Sequence, residues 1–107
     1  MTVFKTFRNY FFLALWKIKI IMFGLLTLLV IDAVAVAYFE KMSFADALYF
    51  TFVTGLTIGY GDITPVNPIG RIIAILTGIQ GLIITGIIVA VAVFALRKTM
   101  EQTKDMK

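Results

Sequence analysis

Two long apolar runs bounded by charge divide this chain. The first covers residues 18–39, between Lys17 or Lys19 and Glu40; the second covers 69–96 and ends at Arg97–Lys98. At about 1.5 Å per residue, about twenty apolar residues cross a hydrocarbon core of about 30 Å, so each run predicts a spanning helix. The second, at roughly 28 residues and about 42 Å, must tilt or project beyond the bilayer. Between them, residues 43–55 read as a short helix. Ser43 and Asp46 have capping-box spacing, and the acid suits the positive end of the helix dipole. About twelve residues cannot span, so this helix enters the membrane and stops partway. That is tolerated only where protein or water covers the irregular backbone that follows. Residues 1–17 place Phe4, Phe7, Phe11 and Leu15 at helical spacing, with Trp16 at headgroup depth. They predict an amphipathic helix on the cytoplasmic membrane face. The alternative is a first span that begins near Tyr10.

Composition supports the bilayer. The chain has 107 residues, 61% of them hydrophobic, and its mean hydropathy is +0.99. Cysteine and histidine are absent, which removes disulfides, thiolate or imidazole metal ligands and the usual near-neutral proton sensor. With no paired carboxylates in a polar cleft either, the chain offers nothing an enzyme would need. The net charge of +4 is concentrated at the two ends, not along one solvated face as nucleic-acid binding would want. Lys5, Arg8, Lys17 and Lys19 come at or before the start of the first span and Arg97, Lys98, Lys104 and Lys107 after the second, with only Lys41 and Arg71 between the spans. Both termini are therefore expected to be cytoplasmic in a multi-pass cell-membrane protein.

The stretch Thr57-Ile58-Gly59-Tyr60-Gly61-Asp62 follows the short helix. Gly59 and Gly61 alternate with side-chain-bearing residues, so the backbone can turn successive carbonyls to one side. Repeated around a symmetry axis, such carbonyls replace the water shell of a cation. One chain has too few spans to enclose an aqueous path, so a pore needs several copies.

On this string, in its helix–loop–helix setting, the chain resembles the pore module of tetrameric potassium channels of the two-helix prokaryotic type, over about residues 18–98. The resemblance implies an all-α membrane protein. An outer helix (18–39) and an inner helix (69–96) flank a re-entrant pore helix (43–55) and a selectivity-filter loop (57–62), in a homotetramer around a central pore. Residues 1–17 resemble the interfacial helix of several channel families, and 99–107 form a cytoplasmic tail. By resemblance, the carbonyls of Thr57, Ile58, Gly59 and Tyr60, with the Thr57 hydroxyl, form four stacked sites for dehydrated K⁺, and Gly61 and Asp62 complete the outer mouth. The Ile58 and Tyr60 side chains point away from the ions, into the protein. Potassium is the permeant ion; no cofactor is expected. Tyr49 and Phe50 stand where many relatives carry two tryptophans of an aromatic cuff. Val53 stands where some place a glutamate that pairs with the outer aspartate, so that pair cannot form here. In residues 63–68, Pro65 and Pro68 stiffen the outer mouth, and Pro68 suits the first turn of the next helix.

Within the inner helix, Gly81 aligns with the family's hinge glycine and Gly86 is a second candidate. Close packing is the alternative use of both. With Thr85 facing the cavity, Val89 and Val93 follow along one stripe, where a valine ring could gate by dewetting; a lipid-facing stripe is the alternative. Gln80 is expected to hydrogen-bond between helices. Asp32 lies about two turns below the outer end of its span. It either hydrogen-bonds on the pore-helix side of the protein or takes part in gating or proton sensing.

The function expected is passive, K⁺-selective conduction. Its rivals are a nonselective cation channel, a transport subunit, and a non-conducting assembly or regulatory subunit. The tail is too short for the cytoplasmic ligand-binding domain of many relatives, so the chain is expected to be either a minimal channel or a truncated pore. The gating stimulus is not legible, and no arginine-rich voltage-sensing helix is present.

Overall fold

The computed structural model describes residues 2–105; Met1 and positions 106–107 of the expected tail lie outside the described residues. Four helices follow one another: α1 (Thr2–Lys17), α2 (Lys19–Glu40), α3 (Phe44–Gly55) and α4 (Pro68–Asp105). The described chain is all-helical, and α2 and α4 are long and apolar enough to cross a membrane. The molecule measures 59 × 26 × 20 Å, its long dimension matching the 38 residues of α4 at about 1.5 Å each.

The core is small and lies where α2, α3 and α4 meet. Ala33 and Val36 of α2 pack on Ala47 and Phe50 of α3, with Ile73 and Ala74 of α4 against them. Alanine at 33 and 47 lets α2 and α3 approach closely, as helices in lipid must when packing rather than water exclusion holds them together. Most other large apolar side chains are exposed, among them Ile20, Phe23, Ile75 and Leu82. In a membrane protein these surfaces meet lipid or other chains rather than water.

The boundaries of α2, α3 and α4 move. The outer helix starts at Lys19 because Ile18 (φ −107°, ψ 18°) interrupts α1 and α2. Ser43 is the N-cap of α3, its Oγ accepting from the Asp46 N–H at 3.1 Å. The return bond from the Asp46 carboxylate is absent among the described residues, so half of the expected capping box forms. The inner helix begins at Pro68, with Asn67 Oδ1 accepting from the Ile69 N–H at 2.9 Å, and runs unbroken through the described part of the expected tail. Nothing between 97 and 105 breaks a helix. Thr99 and Thr103 return their hydroxyls to carbonyls one turn back, and Lys98 pairs with Glu101 at 3.8 Å.

The first helix lies against the C-terminal half of α4. Tyr10 packs edge-on to Phe94, and its hydroxyl accepts from the Gln102 amide. The less exposed side is Thr6, Phe7, Tyr10, Phe11, Ala14 and Leu15. Of the expected apolar side, Phe7, Phe11 and Leu15 lie there, whereas Phe4 is exposed together with Phe12 and Trp16. The 3.6-residue period holds, and Tyr10 and Ala14 widen the face toward α4.

Candidate functional site

The loop 57–62 grows directly out of the C-terminal end of α3. Leu56 caps that helix, its N–H donating to Phe52 O at 2.9 Å. The chain then turns back on the helix end. The Thr57 N–H donates to Thr54 O (3.1 Å), and the Ile58 and Gly59 N–H groups donate to Val53 O (2.9 and 3.3 Å). These carbonyls are the last acceptors of a helix, so the first three N–H groups of the loop satisfy them.

The loop's acceptors are left free. Among the described residues no protein donor reaches the carbonyl oxygens of Thr57 to Gly61. The backbone angles show why they can line up. Thr57, Gly59 and Gly61 have φ of 62°, 61° and 81°, whereas Ile58 and Tyr60 between them are not in the positive region. Alternating left- and right-handed residues gathers N–H groups on one side of a chain and carbonyls on the other. Glycine takes positive φ without cost at two of the three positions. Thr57 does not: a β-branched residue there is strained, by about 1–3 kcal/mol. Its hydroxyl donates to Leu56 O at 2.6 Å, so on this chain the side chain is engaged locally.

Other contacts brace the loop. The Tyr49 hydroxyl donates to Asp62 Oδ2 at 2.9 Å, joining α3 to the outer end of the loop. That hydrogen bond, with some loss of hydration and the carboxylate's charge, pushes the Tyr49 hydroxyl above the ordinary tyrosine range. With valine at 53, tyrosine at 49 thus supplies the partner that holds the outer aspartate. Tyr49, Phe50, Val53 and Thr54 line a cavity of about 150 Å³ behind Gly59–Thr64. Ile58 and Tyr60, expected to point into protein, are 48% and 69% exposed on the single chain. The reason is that a loop so thin has protein from its own chain on one side only.

Glu40 carries a role that the pattern reading missed. Its Oε1 accepts from the Val66 N–H at 2.8 Å and its Oε2 from the Asn67 N–H at 2.9 Å, clasping the mouth loop to the end of α2. A carboxylate here also faces the positive N-terminus of α4. Gly70 makes room for it: a Cβ at that position would collide with the Glu40 carboxylate. The only sequence signal was an acid at the end of an apolar span, which reads equally well as a boundary marker.

Gly81 lies against the backbone of Gly55, so closely that a Cβ at 81 would overlap the Gly55 carbonyl. Gly86 meets nothing within 4 Å, and α4 stays helical through both. Val89 and Val93 are 55% and 47% exposed, whereas Thr85, one turn beyond buried Gly81, is half-buried. Asp32 faces the inner helix rather than the pore helix: its Oδ2 accepts from Thr77 Oγ1 at 2.9 Å. The reason is that Ala33 and Val36 take the side of α2 that meets α3, which turns residue 32 toward α4. The Gln80 side chain is within reach of the same carboxyl.

Comparison with known proteins agrees with this architecture. A family profile described as "Ion channel" matches residues 10–98, most of the chain. The chain therefore belongs to this ion channel family, as a prokaryotic-type potassium channel pore module. A calcium-gated potassium channel, TvoK, of Thermoplasma volcanium is 38% identical over 55 residues, which are 51% of this chain and 16% of that protein. A voltage-gated potassium channel of Aeropyrum pernix is 52% identical over 40 residues, covering 35% and 14% of the two chains. Protein LctB of Geobacillus stearothermophilus is 49% identical over 49 residues, covering 46% and 36%. The matched segment is thus well under half the length of each of these relatives.

Proposed function

We propose that four copies of this chain assemble around an axis and conduct K⁺ passively across the membrane through the carbonyls of Thr57, Ile58, Gly59 and Tyr60. The observation that carries the reading is the alternation of positive φ at 57, 59 and 61, with the N–H groups of Thr57, Ile58 and Gly59 tied to the end of α3 and the loop carbonyls unclaimed. A row of such oxygens suits a dehydrated cation, and the negative end of the α3 dipole favours one in the cavity below. The exposed Ile58 and Tyr60 side chains are then covered by neighbouring copies. The potassium channels among the relatives support the choice of ion.

In this reading Thr85, Val89 and Val93 line the cavity and inner constriction, and the inner helix bends at Gly86 or Gly81. Both termini lie in the cytoplasm, Asp62 faces outside, and the aromatic side of α1 with Phe4, Phe12 and Trp16 meets the inner leaflet. Purified protein in liposomes tests this. A K⁺ gradient should drive flux with a reversal potential that follows K⁺ and not Na⁺. A potential set by both ions would indicate a nonselective channel, and no flux a non-conducting subunit.

A further inference from the structure

The polar contact between α2 and α4 turns on one shared hydroxyl. Thr77 is fully buried, and its Oγ1 lies 2.9 Å from Asp32 Oδ2 and 2.9 Å from Ile73 O, one turn back on its own helix. A hydroxyl carries one hydrogen, so Thr77 can serve both oxygens only by sharing it in a three-centre bond. An ionised Asp32 brings none, so both contacts draw on that single hydrogen. A protonated Asp32 completes the chain. Its O–H donates to Thr77 Oγ1, and the Thr77 hydrogen goes to Ile73 O.

Gln80 is the other polar side chain near this contact, its Oε1 buried without a partner among the described residues.

No counter-charge is at hand. On α2, Lys19 lies over the Trp16 ring and Glu40 is held by the mouth loop. On α4, Arg71 bonds Pro65 O, and Arg97 and Lys98 lie some twenty residues, about 30 Å, below Thr77. On α3, Tyr49 is bonded to Asp62, and Asp46 sits at the capped end. A bare carboxylate inside a membrane protein, with one hydroxyl and one amide for company, is costly.

We propose that Asp32 is a proton-binding site, whose bound proton joins the outer helix to the inner helix at Thr77. Loss of the proton would put a charge between α2 and α4 one turn above the Gly81–Gly55 contact. The proton is thereby coupled to how the inner helix sits on the pore helix.

Infrared spectroscopy of the full chain in lipid at neutral pH tests the site without requiring conduction. Wild type should show a protonated-carboxyl C=O band that is absent in Asp32→Asn. Thr77→Val, which keeps the acid but removes its acceptor, should shift that band, and it serves if the asparagine variant fails to assemble. No band dependent on Asp32, or a band unmoved by Thr77→Val, would overturn the proposal.

The coupling rests on the channel reading and has its own test. K⁺ flux of wild type should change as the solution is made alkaline, whereas Asp32→Asn, whose amide still donates to Thr77, should give a flat profile. Parallel profiles would overturn the coupling. If no variant conducts, the channel reading and the coupling fall together, while the infrared band still decides the proton site.

Discussion

The Gly81 backbone of the inner helix rests on the backbone of Gly55, the last residue of the pore helix. Only glycine fits at 81, whereas a Cβ at 55 would meet Leu29 and the Gly81 Cα at ordinary contact distance. The contact makes Gly81 a packing residue first. Gly81→Ala must push α4 off α3, at a cost of about 1–3 kcal/mol for overpacking. The assembled protein should dissociate at lower temperature in detergent. Gly86→Ala, which meets open space, should leave that temperature unchanged or slightly raised. Loss of flux in Gly86→Ala at full thermal stability would place the bend at Gly86; loss of both properties in Gly81→Ala would not distinguish a hinge from packing.

Tyr49→Phe removes the hydrogen bond to Asp62 and little else. The loss is expected to be small and concentrated at the outer end of the loop. K⁺ over Na⁺ discrimination, read from reversal potentials, should fall while assembly persists. The pH dependence has a defined sign. The neutral hydroxyl is favoured by folding, so its contribution is complete below the ordinary tyrosine value of about 10. It is lost as pH rises through the higher value in the folded protein, and the tyrosine-to-phenylalanine variant should lack that alkaline step.

Glu40 and Gly70 form a pair whose energies should not add. Gly70→Ala thrusts a methyl group at the Glu40 carboxylate and should destabilise the wild-type chain. In a Glu40→Ala background the obstacle is gone, and the same change should be tolerated. Glu40→Ala alone leaves two backbone N–H groups at Val66 and Asn67 without their acceptor, about 1–3 kcal/mol for each if water cannot reach it. Thermal dissociation of the four proteins of this cycle gives the coupling directly.

Gly59→Ala forces a side chain into left-handed backbone, at a cost of about 1–2 kcal/mol, with no neighbour in the way. The expected outcome is loss of K⁺ flux with helix content and assembly retained, measured by liposome flux and circular dichroism. Retained selective flux would mean that the alternating backbone is not what holds the ion.

Much of this protein was written in local pattern. The apolar runs, their bounding charges, the Ser43 cap, Pro68 at a helix start and the Thr57–Asp62 string each express their structure within a few residues. They determined the all-helical membrane architecture, the element boundaries to within a residue or two except at the C-terminal end of α4, and the place of the loop. What they could not determine was which residues far apart in the chain would meet. The turn of α1 onto Phe94 and Gln102, the clasp of Glu40 on Val66 and Asn67, the seating of Gly81 on Gly55 and the pairing of Asp32 with Thr77 were decided only by how the helices dock. Helical period names a face, but two helices of similar composition can present several faces to one another. The docked arrangement is chosen by small residues and a few polar atoms whose partners lie 26 to 92 positions away, and that information has no local signature.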